Sequence, residues 1–143
     1  MAAGVVATYD PKNLSMIVGG QIMSGFGDGT VVKLSRNQQA FMLKVGVDGE
    51  GTRSKSNDKS GKIEITLMQS SASNDVLSAY ASADELSNTG AVPILFRDNS
   101  GRTLATALTA WVQKLPDTEF AKEVSTRTWV FETDTLEIFI GGN

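Results

Sequence analysis

The chain has no cysteine and no histidine among its 143 residues. Without cysteine there are no disulfides and no thiolate chemistry. Without histidine the chain lacks the commonest general base and the commonest zinc ligand, so a zinc site would be unusual. No apolar run approaches the length of a membrane-spanning helix, and the N-terminal residues lack the basic segment of a signal peptide. We therefore expect no metal, no cofactor and no membrane anchoring.

The charge balance is weakly acidic. Thirteen basic residues against 16 acidic ones give a formal net charge of −3, which excludes a broadly basic nucleic-acid binder. Hydrophobic residues make up 41% of the chain and charged residues 20%, values typical of a globular protein. The length suits one domain, and neither a repeat nor a linker divides it. A single domain over residues 1–143 is predicted.

Short strand patterns dominate the sequence. The clearest is at residues 62–68, where Ile63, Ile65 and Leu67 alternate with polar residues. A further strand is predicted at residues 14–18. Three hairpins are predicted, which join residues 30–36 to 41–45, residues 92–97 to 102–114, and residues 126–131 to 136–140.

Two finer predictions concern side chains within the strands. Within residues 102–114, the alternation places Leu104, Thr106, Leu108, Ala110 and Val112 on one face. Trp111, Trp129, Phe131 and Phe139 lie in predicted strands, where aromatic residues usually belong to the core.

One helix is predicted, at residues 74–87. Ser73 or Asn74 can cap its N-terminus. Its apolar stripe consists of Val76, Leu77, Tyr80, Ala83 and Leu86. The fold class is therefore mainly β, a two-sheet β-sandwich or barrel with one flanking α-helix.

Residues 46–61 form a long polar stretch whose only apolar residue is Val47. A loop this long inside a compact domain is typically functional or disordered. Its charges sum to zero, with Asp48, Glu50 and Asp58 against Arg53, Lys55 and Lys59. Two interpretations stay open. The stretch is either a mobile solvated loop or a self-complementary docking arm that orders against a neighbouring copy.

No motif in the chain indicates catalysis. Residues 56–59 match the Ser-x-x-Lys pattern of some acyl enzymes, but they lie in a Gly- and Ser-rich stretch without the companion motifs. The glycines of residues 25–29 lack the Lys-Ser/Thr of a phosphate-binding loop. Residues 48–50 lack the ligand spacing of an EF-hand. An enzyme, such as a Ser-Lys or carboxylate hydrolase, is the weakest of the hypotheses.

Several short stretches, taken in order, resemble a known family. They are Tyr9-Asp-Pro11, Ile17-Val-Gly-Gly20, Ser24-Gly-Phe-Gly-Asp-Gly29, Val45-Gly-Val-Asp-Gly-Glu50, Arg53-Ser-Lys-Ser-Asn-Asp58, Ser73-Asn-Asp-Val-Leu77, Trp111-Val-Gln-Lys-Leu-Pro-Asp117 and the final Gly-Gly-Asn. This ordered set covers nearly the whole chain and is similar to the tail-tube proteins of contractile-tailed bacteriophages. No catalytic residue is carried over.

The resemblance implies a structural virion protein of the phage tail, assembled in the bacterial host cytoplasm. Six copies would close into a ring whose strands form an inner barrel, and stacked rings would make a conduit for DNA ejection. Residues 46–61 would reach the adjacent ring. The implied partners are further copies of the chain, the tail sheath, the baseplate and the tail terminator, with DNA passing through without specific binding.

Individual residues are assigned on these grounds. The predicted contacts between subunits are Asp48, Glu50, Arg53, Lys55, Asn57, Asp58 and Lys59. The polar face of two strands gives the candidates for the lumen, which we expect to be acidic or neutral: Lys33, Ser35, Glu64 and Thr66. The alternatives are a tube subunit like that of type VI secretion systems and a monomeric β-sandwich binding module.

Overall fold

The computed structural model describes residues 6–142. Over this range the chain forms a short 3-10 turn (Pro11–Asn13), ten strands and one helix, α1 (Ser73–Ser87), which lies between the sixth and seventh strands. The strands are β1 (Leu14–Val18), β2 (Gln21–Ile22), β3 (Val32–Arg36), β4 (Phe41–Val45), β5 (Gly51–Lys55), β6 (Gly61–Met68), β7 (Val92–Asp98), β8 (Leu104–Lys114), β9 (Thr126–Thr133) and β10 (Glu137–Phe139).

Eight of these strands form one antiparallel sheet in the order β2-β1-β7-β8-β9-β6-β3, with β10 also paired to β8. Strands β4 and β5 form a separate two-stranded sheet. The prediction of a mainly β fold with two sheets and one helix is confirmed. The large sheet does not close into a barrel through a continuous ladder.

The two edges of the large sheet nevertheless approach one another. The backbone N–H of Met23 donates to the carbonyl of Met16 in β1 (2.8 Å), and that of Gly27 donates to Thr66 in β6 (3.0 Å). Residues 23–27 therefore connect one edge of the sheet to the other. Because β1 and β6 are four strands apart in the sheet order, this connection requires the sheet to curl around its own core.

The core follows the strand alternation that the sequence predicts for β6. Ile63, Ile65 and Leu67 are each at most 1% exposed, and their cross-strand partners on β9 include Phe131 and Trp129. Leu77 of α1 is fully buried in the same cluster, so the helix packs against the concave side of the curled sheet. The prediction that Phe131 and Trp129 belong to the core is confirmed.

Two of the three predicted hairpins are wrong, and the first is that of residues 30–36 with 41–45. Strand β3 pairs with β6, whereas β4 pairs with β5. The reversal occurs at residues 46–50, where Gly49 adopts a φ of +87°, a conformation that glycine adopts without strain. Five residues of the supposed loop 46–61 therefore form a strand, because their extended backbone pairs with β4 even though their side chains are small or charged.

The second wrong hairpin is that of residues 126–131 with 136–140. Strands β9 and β10 run in the same direction along one edge of β8, with Thr133 opposite Ala110 and Glu137 opposite Thr106. The hydroxyl of Thr133 donates to the carbonyl of Thr109 (2.8 Å) and accepts from the N–H of Thr135 (3.3 Å). These bonds hold residues 134–136 as a local bulge between β9 and β10. The chain therefore continues along β8 in the same direction and does not reverse.

The prediction that residues 104, 106, 108, 110 and 112 share one face of β8 is wrong. Ala105 and Ala107 face the core, while Leu104 is 43% exposed and Leu108 is 86% exposed. The pairing with β7 is irregular between Val92 and Ile94, and this register shift returns Ala110 to the inside. A bulge adds one residue to the strand, so the side chains that follow it change faces. A two-residue alternation that ignores the bulge therefore assigns some side chains to the wrong face.

The helix lies within one residue of its predicted bounds, but its details differ. Its N-cap is Ala72, which makes no side-chain capping bond, while the side-chain NH2 of Asn74 donates to the carbonyls of Met68 and Ser71 (3.0 Å each). Leu86, predicted in the apolar stripe, lies in the last turn of the helix and is 87% exposed. Phe139, predicted in the core, is 64% exposed because it lies on the outer side of β10.

Candidate assembly surfaces

The hairpin of β4 and β5 projects from the body, and we call residues 41–55 the arm. All of its residues are exposed. At its base, the N–H of Ser56 donates to the carbonyl of Ala40 (2.8 Å), and the N–H of Asn37 donates to that of Ser60 (3.0 Å). The arm is therefore an extension of the ladder between β3 and β6 with its own regular pairing.

One face of the arm combines apolar and basic side chains. Phe41 lies opposite Lys55, and Leu43 lies opposite Arg53. The guanidinium of Arg53 lies 4.3 Å from the centre of the Phe41 ring, within the range of a cation–π contact. With Leu43 72% exposed and Val45 57% exposed, this face presents more apolar surface than a solvated hairpin needs.

The tip of the arm is acidic. The N–H of Gly46 donates to the carbonyl of Glu50 (2.8 Å), and the N–H of Glu50 donates to the Asp48 carboxylate (3.2 Å). Asp48 therefore holds the turn. The Glu50 carboxylate makes no hydrogen bond or ion pair with any residue in the described range 6–142. It is the charged group at the tip that is available to a partner.

The remaining three predicted contact residues lie at the base of the arm. The carboxylate of Asp58 accepts bonds from the hydroxyl (2.6 Å) and the N–H (2.9 Å) of Ser60, and these bonds lower the pKa of Asp58 below its ordinary value of 3.8. Lys59 pairs with Glu137 of β10 at 3.7 Å. Asn57, which precedes Asp58, is exposed. The structure thus separates Asp48, Glu50, Arg53 and Lys55 on the arm from a base that fastens it to the body.

The four lumen candidates lie together on the outer side of β3 and β6. Lys33 is opposite Glu64, Ser35 is opposite Lys62, and the hydroxyl of Thr66 lies 3.3 Å from that of Thr128 on β9. We define the polar face as the outer side of β3, β6 and β9. Its members are Lys33, Ser35, Lys62, Glu64, Thr66, Thr128, Val130 and Glu132. Two lysines and two glutamates give it no net charge.

Sequence reasoning missed an apolar stripe on the other half of the same outer side. Ile22 of β2 is 73% exposed and Leu95 of β7 is 38% exposed, with the half-buried Ile17 of β1 between them. Leu104 is paired with Phe139 in the neighbouring row. The sequence signal for this stripe is Leu104, which the alternation places on the same face as Ala110 and Val112.

The described part of the chain shows neither a metal-binding cluster nor a membrane-spanning helix. Over residues 6–142, no group of three or more His, Cys, Asp or Glu side chains is placed to hold a metal ion. Over the same range, no helix is both long and apolar enough to cross a membrane. An open groove of about 980 Å³ lies where residues 23–32 cross between the sheet edges, and its lining includes Tyr9, Phe26 and Phe96. This groove fits the alternative of a binding module.

Solved structures show where this fold occurs. The anti-feeding prophage tube terminating cap aligns with a TM-score of 0.67 and 10% identity, covering 97% of this chain and 95% of that one. The sheath/tube terminator of an extracellular contractile injection system, PVC, aligns with a TM-score of 0.64 and 11% identity, covering 96% and 100%. A chain of the PVC sheath-tube complex aligns with a TM-score of 0.64 and 10% identity, covering 92% of this chain and 91% of that one. At these identities the similarity shows a shared fold.

Sequence comparison identifies the family. Structural protein ORF10 of Pseudomonas phage KPP10 is 29% identical over 149 residues, an alignment that covers 99% of this chain and 86% of that protein. The family model described as the bacteriophage PhiTE tail tube protein matches residues 7–141. The resemblance noted in the sequence is thereby confirmed, and the chain belongs to the phage tail tube family, whose place is the tail of the virion.

Proposed function

We propose that this chain builds the inner tube of a contractile phage tail by closing into hexameric rings that stack through the arm, and that the tube is a conduit for DNA ejection. The observation that carries the proposal is the arm itself, a regular hairpin in which every residue is exposed and one face combines apolar and basic side chains. A hairpin of two strands is marginally stable alone. A neighbouring copy would cover its apolar face and hold its conformation.

Open sheet edges support ring closure. Within the described residues, β3 pairs only with β6 along one side, and the other edge of the sheet is the two-residue strand β2. Unpaired edges expose backbone N–H and C=O groups that another chain can pair with. Closed rotational symmetry removes such edges, because each copy covers the edge of the next.

The polar face supports a neutral lining of the channel. Lys33, Lys62, Glu64 and Glu132 place opposite charges next to one another on neighbouring strands. DNA binds proteins mainly through the attraction of its phosphates to basic side chains. A lining of balanced charge gives DNA no continuous basic track, so it would pass without being retained.

The proposed partners, apart from further copies of the chain, are the tail sheath, the baseplate and the tail terminator. Two of the structural neighbours belong to a sheath-tube complex and a sheath/tube terminator. Those assemblies support the proposal through the shared fold. The proposed function is structural, with no catalytic step.

Negative-stain microscopy and size-exclusion chromatography of the purified protein test the assembly. We expect rings with six-fold symmetry and hollow tubes at high protein concentration. A 15.2 kDa monomer at every concentration and salt condition would contradict the proposal and favour a binding module. Tubes built from rings of another symmetry would refute the hexamer but retain the tube.

Reversing the basic charges of the arm tests its role in stacking. Arg53→Glu with Lys55→Glu should leave the circular dichroism spectrum unchanged, because both residues are exposed. Tube formation should fall, and fall most at low salt, where electrostatic effects are least screened. The matched control is Lys12→Glu with Lys122→Glu, two exposed lysines outside the arm. If the arm variant and the control form tubes equally well, the charges of the arm do not guide stacking.

A further inference from the structure

Arg127 is a buried cation without a carboxylate partner among residues 6–142. It is 8% exposed and lies on the inner side of β9, opposite Leu67. Its Nη1 donates to the hydroxyl of Ser125 (3.1 Å) and to the carbonyl of Thr126 (3.5 Å), both neutral acceptors. The ion pairs of the described residues are Lys59 with Glu137 and Lys114 with Asp117. A buried charge is costly unless an opposite charge or several hydrogen bonds compensate it.

The guanidinium of Arg127 has further N–H donors beyond those described above, and it lies at the wall of a cavity. A guanidinium carries five N–H donors, and the bonds described above use only Nη1. Arg127 lines an open cavity of about 240 Å³ together with residues of α1 and of the loop 115–125. The other lining residues are Gln69, Asn74, Ser78, Leu115, Pro116, Thr118 and Trp129. The lining contains no acidic side chain, so an anion that enters meets no like charge there.

The position of this cavity relative to the arm suggests what enters it. The arm leaves the sheet between Arg36 of β3 and Gly61 of β6, which are cross-strand partners. Arg127 pairs with Leu67, six residues along β6 from that point. At about 3.3 Å per residue, the two features lie roughly 20 Å apart at opposite ends of β6. In a head-to-tail stack, the arm end of one copy faces the cavity end of the next.

We propose that the Glu50 carboxylate at the tip of the arm enters the Arg127 cavity of a copy in the adjacent ring and pairs with its guanidinium. This inference rests on the proposed tube function and names the receptor for the arm. Glu50 is the acidic group of the tip without a partner in the described chain, because Asp48 holds the turn. Carboxylate and guanidinium form the strongest kind of hydrogen-bonded ion pair in proteins.

Disulfide trapping in assembled tubes tests the contact directly. The chain has no cysteine, so Glu50→Cys with Ser78→Cys introduces the only two thiols. Both positions are exposed, and Ser78 lines the cavity. A disulfide needs Cα atoms within about 7 Å, whereas the base of the arm lies roughly 20 Å from the cavity along β6, so we expect no link within one copy. Mild oxidation of tubes should yield a ladder of covalent multimers on a non-reducing gel.

The matched control is Glu50→Cys with Ser87→Cys, which moves the second thiol to the exposed C-terminal end of α1, nine residues from Ser78. This control should give no ladder. Tubes in which the Ser78 pair gives no more ladder than the control would overturn the receptor assignment and leave the tube function standing. Failure of the wild-type protein to form tubes would overturn both proposals.

A double-mutant cycle tests the charge pairing. Glu50→Gln should raise the protein concentration needed for tube formation by roughly tenfold, as expected for one lost charge-assisted hydrogen bond. Arg127→Met should do the same, after circular dichroism has shown that it folds. The double variant should match either single variant, whereas independent effects would multiply to roughly a hundredfold and refute the pairing. Glu119→Gln, an exposed carboxylate of the loop near the cavity, is the control and should leave the threshold unchanged.

Discussion

Replacing Leu43 with serine separates the contribution of the arm to assembly from its contribution to folding. Leu43 lies in the apolar row of the arm and is 72% exposed in the free subunit. Full burial of a leucine side chain stabilises by about 1.5–3 kcal/mol, so covering the exposed part in an interface adds roughly 1–2 kcal/mol per copy. The free subunit loses little, since surface substitutions usually change stability by less than about 0.5 kcal/mol.

The assay is sedimentation of tubes across a concentration series, paired with thermal denaturation of the subunit. Leu43→Ser should raise the threshold for sedimentation by roughly 5- to 30-fold, the factor that corresponds to 1–2 kcal/mol. The melting temperature should stay unchanged. Leu86→Ser, on a leucine that is 87% exposed at the end of α1, controls for general loss of surface hydrophobicity. An unchanged threshold for Leu43→Ser would refute burial of the arm in the tube.

Three further predictions concern the subunit itself. Leu77→Ala removes a fully buried side chain and should lower the free energy of unfolding by about 2–5 kcal/mol, measured by urea denaturation. Asn74→Ala leaves the buried indole N–H of Trp129 without its acceptor at 2.8 Å, which should cost about 1–3 kcal/mol and shift the indole proton resonance. The pKa of Asp58 is lowered by its bonds from Ser60, so its contribution to stability should be present above the ordinary value of 3.8 and be lost as pH falls through the lower folded value. Ser60→Ala removes the hydroxyl bond but keeps the backbone N–H bond, so in an NMR titration it should raise that pKa part of the way toward 3.8, and an unchanged pKa would exclude the hydroxyl bond as the larger cause.

Local patterns predicted the elements, but the sequence did not predict which elements pair. The alternation in β6 and the start and end of α1 are properties of contiguous residues, and the structure confirms them. The partner of β4 depends on whether the chain reverses at residues 37–40 or at 46–50. Both stretches have the composition of turns. The pairing β3–β6 joins residues about 30 positions apart, and such nonlocal choices depend on the packing of the whole sheet.

Among the candidate contact residues, those of the arm could be identified from the sequence, whereas Arg127 could not. Charge alone singles out the residues of the arm in the sequence, and in the structure strand β5 is exposed along its whole length. The sequence does not predict that Arg127 is buried, because one arginine in an alternating strand gives no signal of burial. Its burial arises from tertiary packing, in which Leu67 lies opposite it and the Phe120 ring centre lies 5.4 Å from its guanidinium. A cation that the fold buries without an acidic partner can be identified only from the structure.

The distribution of charge along the chain favours the contact of an arm with the body of another copy over the contact of two arms. Lys44, Arg53 and Lys55 outweigh Asp48 and Glu50, so the arm carries a formal charge of +1. Because the whole chain carries −3, the rest of the molecule carries −4. Two arms therefore repel weakly, whereas an arm and a body attract. The basic part of the arm is attracted to the acidic body, while its acidic tip needs a local cation such as Arg127. This polarity favours stacking in one direction. Two like ends brought together would pair arm with arm and leave each Arg127 without an acidic partner.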